Sequence, residues 1–139
     1  MSPKQRSRMR VVQALYQWQV SGGDLIQIEK QFLNQKKGKI SKAFFSNLFI
    51  NIPKNTELLD SLIQPFLEKK IDELGQVERS ILYLGAYELN FQPEVPYRVV
   101  INEAVGLAKT FAAEGAYRLI NTILDRLATK LRVVEVKTR

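Results

Sequence analysis

The sequence predicts an all-α protein on three counts. Apolar residues recur at three- and four-residue spacing through seven successive segments. Polar caps, glycines or prolines stand at the ends of those segments. No segment alternates apolar and polar residues as a half-buried strand does.

The first helix opens on Ser2 as N-cap, with Pro3 at the first helical position and Gln5 closing a capping box. It runs to about Val20 and stops at Ser21-Gly22-Gly23. Met9, Val12, Tyr16 and Val20 share one face, while Val11, Ala14, Leu15 and Trp18 form a second apolar arc. Arg6, Arg10 and Gln17 lie between the arcs on one side, Lys4 and Arg8 on the other. A helix apolar on two sides is either central to a bundle or shared with a partner.

Asp24 opens the second helix, with Leu25, Ile28, Phe32 and Leu33 facing inward. Residues Gln35 to Lys39 read as a polar, mobile connection. Ser41 caps a third helix carrying Phe44, Phe45, Leu48, Phe49 and Ile52, which Pro53 ends or kinks. Asn55 or Thr56 starts a fourth, with Leu58, Leu59, Leu62, Ile63, Phe66 and Leu67 inside and Pro65 bending it. The fifth spans about Gln76 to Phe91 on Val77, Ile81, Leu84 and Leu89, and Pro93 and Pro96 make the next connection rigid. The sixth covers about Tyr97 to Ala113, with Val100, Ala104, Leu107, Ala108 and Phe111 toward the core. Glu114-Gly115 breaks the chain before a seventh helix, Ala116 to Leu131, built on Leu119, Ile120, Ile123, Leu124 and Leu127. Val133 to Arg139 reads as a polar tail that frays. The connections are short, so consecutive helices are expected to pack as antiparallel neighbours.

Composition narrows the function. At 139 residues the chain can bury a real hydrophobic core. It has no cysteine, hence no disulfide and no thiolate metal site, and a reducing cytoplasm is the default. It has no histidine, which removes the commonest general base and excludes Ser-His-Asp and Cys-His catalysis. The acids are scattered singly and no Gly-rich phosphate loop follows a strand, so the sequence points away from an enzyme, a cofactor or a metal centre. No apolar run approaches the roughly 18 residues that span a bilayer. The N-terminus lacks the apolar stretch of a signal peptide.

The net charge of +7 is clustered, first in Lys4, Arg6, Arg8 and Arg10 and again in Lys36, Lys37, Lys39 and Lys42. A basic arm that forms the first turns of a core helix is a rigid cationic surface, suited to phosphate. Gln13 and Gln17 add amides there, and exposed amides or aromatics can contact unstacked bases of single-stranded RNA. Lys109, Arg118 and Arg126 form a second basic set, with Phe111 and Tyr117 near in sequence; Phe111 also reads as a core residue. The lysines from 36 to 42 read either as a phosphate contact or as a solvated linker. Glu88, Asn102 and Glu103 read as hydrogen-bonding groups that fix helix crossings rather than as a polar site.

Five ordered segments resemble the NusB family of bacterial transcription antitermination factors. They are VVQALYQWQ after the basic turns, LDSLI (Leu59 to Ile63), LGQVERSILYLGAYEL (Leu74 to Leu89), VPYRVVINEAVGLAKTF (Val95 to Phe111) and RLINTILD (Arg118 to Asp125). The resemblance implies one compact domain of two three-helix bundles packed roughly at right angles. The N-terminal bundle would cover about residues 2–70 and the C-terminal about 71–131, with a tail over 132–139. It further implies binding to the boxA element of ribosomal-RNA leader transcripts, a heterodimer with NusE (the ribosomal protein S-ten), and entry into the RNA polymerase antitermination complex. By position, Lys4, Arg6, Arg8 and Arg10 fall in the family's arginine-rich RNA-binding stretch, with Gln13 one turn on, while Lys109, Phe111 and Arg118 fall where the sixth and seventh helices add contacts. Tyr16 and Glu78 fall where the family meets NusE; they also read as a capping core tyrosine and a first-turn acid favoured by the helix dipole. The chain departs from the family pattern at Gln5, Arg10, Gly115 and Thr122.

Two rival readings remain at this level. One is a protein-interaction module whose two-sided first helix docks a partner. The other is an RNA-targeting domain acting in trans, since the fold resembles the N-terminal part of some ribosomal-RNA cytosine methyltransferases. The sequence leaves monomer or homodimer open.

Overall fold

The helix ends lie where their caps dictate. In the computed structural model, which describes residues 1–138, Ser2 Oγ accepts from the Gln5 N–H and Gln5 Oε1 accepts from the Ser2 N–H, closing the capping box of α1 (Pro3–Ser21). Asp24 caps α2 (Leu25–Leu33) and Ser41 caps α3 (Lys42–Lys54). Pro53 is accommodated in the last turn of α3, where Asn55 closes the end by donating its backbone N–H to Ile52 O and its amide to Asn51 O. Then follow α4 (Thr56–Ile63), 3-10 turns at Gln64–Phe66 and Ile71–Glu73, α5 (Gln76–Phe91), α6 (Tyr97–Phe111), α7 (Ala116–Leu131) and α8 (Val133–Lys137). No strand occurs among the described residues.

The chain divides into two units between Asn55 and Thr56. This is earlier than the boundary near residue 70 expected from sequence, because α4 packs on α5 and α7. In the first unit α1 lies against both α2 and α3. Its core is Val11, Val12, Ala14 and Leu15 from α1, Ile28 and Phe32 from α2, and Phe45, Leu48, Phe49 and Ile52 from α3. The Phe45 and Phe49 rings stack with centroids 5.8 Å apart.

In the second unit α5 is central, packed by α4, α6 and α7, and every residue from Ser80 to Leu89 is buried. Gly85 lets α7 come close: a Cβ there would lie 2.6 Å from Leu124 Cδ1. Tyr83 Oη donates to Asp60 Oδ1 at 2.6 Å and accepts from Arg79 Nε at 2.8 Å, tying α4 to α5. Burial, and then the Asp60 carboxylate, push the Tyr83 hydroxyl above the ordinary tyrosine range.

Where the sequence suggests a polar tail from Val133, the chain continues into α8. Arg132 is 7% exposed, and all five of its N–H groups have acceptors. They go to the carbonyls of Glu88, Leu89, Gln92 and Val95 and to the Glu135 carboxylate, the last at 2.6 Å. Three of those carbonyls close α5, where the helix dipole favours a cation. The second oxygen of Glu135 accepts from the Tyr97 N–H that opens α6, at 2.8 Å. That bond, with Arg132 beside it, holds the Glu135 carboxyl below the ordinary carboxylate range against a smaller opposing effect of burial. Residue 139 of the expected tail lies outside the described residues.

Candidate nucleic-acid interface

The start of α1 is fixed before its cations are placed. Gln5, which thins the basic run, is the capping-box partner of Ser2. Ser7 is fully buried, donates to Pro3 O at 2.8 Å, lies 3.1 Å from Ser41 O, and accepts from the Ser41 N–H at 2.9 Å. The first turns of α1 are thereby joined to the first turn of α3.

The four cations of α1 separate into different environments. Lys4 is exposed, with Nζ 5.3 Å from the centroid of the Phe44 ring. Arg8 sits 5.0 Å from the same ring and is only 4% exposed. Arg6 is half-buried and donates to Lys39 O at 3.0 Å. Arg10 is 4% exposed and donates to Phe32 O, Lys37 O and Gly38 O at 3.1, 2.9 and 3.2 Å. The guanidinium of Arg10, expected from the sequence to contact RNA, is turned into the α2–α3 loop. Gln13 is exposed one turn on.

The same bonds alter the reading of the loop. A mobile connection is expected over residues 35–39, but Arg6 and Arg10 hold the carbonyls of residues 37–39 against α1. Gly38 makes this approach with φ +80°, and a Cβ there would lie 2.8 Å from Arg6 Nε. Lys36, Lys37, Lys39 and Lys42 stay exposed. Between helix and loop is a hollow of 580 Å³ that brings Arg6, Arg10 and Gln13 together with Lys36 and Lys37.

Charge follows the division into units. The first 55 residues hold ten lysines and arginines and two acids, Asp24 and Glu29; the remainder holds eleven and twelve. The positive excess of the chain therefore resides wholly in the first unit.

In the second unit Tyr117 is the aromatic at the α6–α7 turn that meets cations. Lys109 Nζ lies 4.8 Å and Arg118 Cζ 5.2 Å from its ring centroid. Phe111 is half-buried at the end of α6. Gly115, at φ +85°, supplies the left-handed residue before α7 that permits this turn. Thr122 is exposed on α7. In the sequence Tyr117 stands only as a neighbour of the basic set, and nothing there signals Phe44, whose role arises from the crossing of α1 and α3.

Tyr16 is 43% exposed on α1. Glu78, half-buried in the first turn of α5, folds over Gly75, where a Cβ would lie 2.5 Å from Glu78 Oε2. This is where an acid is favoured by the helix N-terminus. Glu88 is buried, Glu103 half-buried and Asn102 exposed.

The NusB family model matches residues 5–129. The chain belongs to the NusB family. It is 43% identical over 139 residues to the transcription antitermination protein NusB of Alcanivorax borkumensis, covering 99% of this chain and 93% of that one. Its fold is similar to that of T. maritima NusB, with a TM-score of 0.85 and 34% identity over 93% of this chain and 92% of the other. It is also similar to a chain in a crystal structure of the antitermination factors NusB and NusE in complex with double-stranded RNA, with a TM-score of 0.82 and 29% identity, covering 91% and 96%. Family membership thus extends through both units, from the cationic turns of α1 into α7.

Proposed function

We propose that this chain is a transcription antitermination factor that binds boxA-type single-stranded RNA of ribosomal-RNA leader transcripts together with NusE and joins the RNA polymerase antitermination complex. The observation that carries the reading is the cationic first unit of a NusB-family chain, with Lys4 exposed and Arg6 and Gln13 at one hollow. The protein acts by binding rather than catalysis, in the bacterial cytoplasm, and no helix among the described residues is long and apolar enough to cross a membrane. The two units serve one RNA-binding domain.

Within it, Lys4, Arg6 and Gln13 contact RNA, Arg8 stiffens the surface through Phe44, and Arg10 supports it from behind. Lys109 and Arg118, with Tyr117 between them, form a second contact, to which Phe111 adds its exposed edge. Tyr16 and Glu78 meet NusE. The RNA of the NusB–NusE neighbour is double-stranded, which makes a duplex the natural competitor substrate.

The test is fluorescence anisotropy with a boxA-type RNA, a scrambled RNA and a duplex of the same sequence, at two salt concentrations, with and without NusE. The expected result is preference for single-stranded boxA, strengthened by NusE. With about four phosphates neutralised, affinity falls roughly fiftyfold between about 50 and 200 mM salt. Arg6→Ala is expected to weaken binding with helicity retained. Equal binding to all three RNAs, with and without NusE, would refute the reading and bring the protein-interaction module forward.

A further inference from the structure

The α2–α3 loop is a lysine-bearing ribbon held with its backbone inward. Carbonyls at 32, 37, 38 and 39 point at Arg6 and Arg10, and the lysine side chains at 36, 37, 39 and 42 remain exposed. Lys36 lines both the 580 Å³ hollow beside α1 and an adjoining hollow of 400 Å³ whose wall includes Lys39 and Lys42. Among the described residues, no acid lines either one. Immobilisation matters because a tethered lysine on a mobile loop must lose chain freedom to meet each phosphate, whereas a fixed one has already lost part of it. Two adjoining cationic hollows lined by no carboxylate suit a chain of phosphodiesters.

We propose that the loop from Lys36 to Lys42 is a second phosphodiester track that continues the α1 surface along the same RNA strand, and that Arg10 is the positioning residue that holds it. The proposal rests on the RNA-binding reading above and deepens it. Arg10 gives up contact with RNA in order to place three or four cations that do make contact.

The experiment uses the full chain and two RNAs, a minimal boxA-type strand and the same strand extended at both ends. The variant K36Q/K37Q/K39Q changes exposed side chains only. The parent is expected to bind the extended strand more tightly and with a steeper salt dependence than the minimal one, and the triple variant to lose that gain. Losing three phosphate contacts flattens the log–log salt slope by about 2, so the gap between parent and variant on the extended strand narrows roughly sixteenfold between about 50 and 200 mM salt. Arg10→Lys keeps the charge but cannot span three carbonyls, and is expected to flatten the slope in the same way. A residue that only stabilised the fold would lower the melting temperature without moving the slope. A parental slope in the triple variant, with Arg6→Ala still weakening binding, would overturn the track and leave the proposed function standing. A parental slope in Arg10→Lys alone would overturn its positioning role. A parent that binds neither RNA would overturn both readings together.

Discussion

Replacing Arg132 tests the claim that the C-terminal segment is integral to the second unit. Arg132→Met retains length and apolar stem but removes every donor. Four backbone carbonyls, at Glu88, Leu89, Gln92 and Val95, lose a buried partner, and Glu135 loses its cation. Each bond to a charged donor is worth about 1.5–3 kcal/mol when measured singly. The five share one guanidinium and do not add. Breaking one side of a buried charged arrangement costs about 3–5 kcal/mol, and that is the expected loss. At about 2.1 cal/mol/K per residue over 139 residues, this lowers the melting temperature by roughly 10–17 °C. Arg132→Lys keeps the charge with three donors in place of five and should fall between the two. Thermal melts by circular dichroism, with urea titration as a second measure, give the number. Hydrogen exchange at the Tyr97 amide reports whether Glu135 has been released. A loss below about 1 kcal/mol for Arg132→Met would show that solvent satisfies these carbonyls equally well, and the reasoning would be refuted.

The same packing bears on three more measurements. The Glu135 carboxyl is held below the ordinary carboxylate range, so the unfolded chain binds more protons there as pH falls. Its stabilising contribution is complete above that ordinary range and disappears as pH drops through the lower folded value; melts across the acid range should show this limb flattened in Glu135→Gln. Gly85→Val drives a branched side chain into the fully buried Leu124, whose Cδ1 stands 2.6 Å from the first added carbon, and is expected to cost about 2 kcal/mol or more in urea unfolding; an unchanged midpoint would mean that α5 and α7 separate freely. Tyr83→Phe removes the hydroxyl between Asp60 and Arg79 and is expected to lose about 1–2 kcal/mol, and in ultraviolet titration it should remove a tyrosine that ionises above the ordinary tyrosine range.

Much of the fold was legible because its signals are local. Ser2, Gln5, Asp24 and Ser41 mark helix starts through bonds to backbone N–H groups two or three residues away, so the same few letters that suggest a cap also make it. The bounds of α5 and α7 follow the apolar period, broken by Gly75, Gln92 and Gly115. The failures share a different cause. The bonds of Arg10 reach across 22 to 28 residues, and those from Arg132 to carbonyls across 37 to 44. An arginine that binds distant carbonyls carries no spacing rule, so Arg10 reads as one more surface cation and α8 as a loose end. Residues 133–137 are also too few to display a helical period of their own. The candidate interface was visible as a cluster of charge, but which cations face outward was not, because burial depends on where Phe44 and the loop come to rest.

The partners of Arg6 and Arg10 have an effect at a distance. A buried guanidinium is commonly matched by a carboxylate, and the pair then looks neutral to anything approaching from afar. Here the acceptors are peptide carbonyls, which orient and hold the arginines while cancelling none of their charge. The architecture of the first unit is thus reinforced with no loss of electric field. That field extends about 8 Å into physiological saline before it is screened. It widens the capture radius for a polyanion, so a strand diffusing past is drawn in by the buried Arg10 as well as by the residues it will touch.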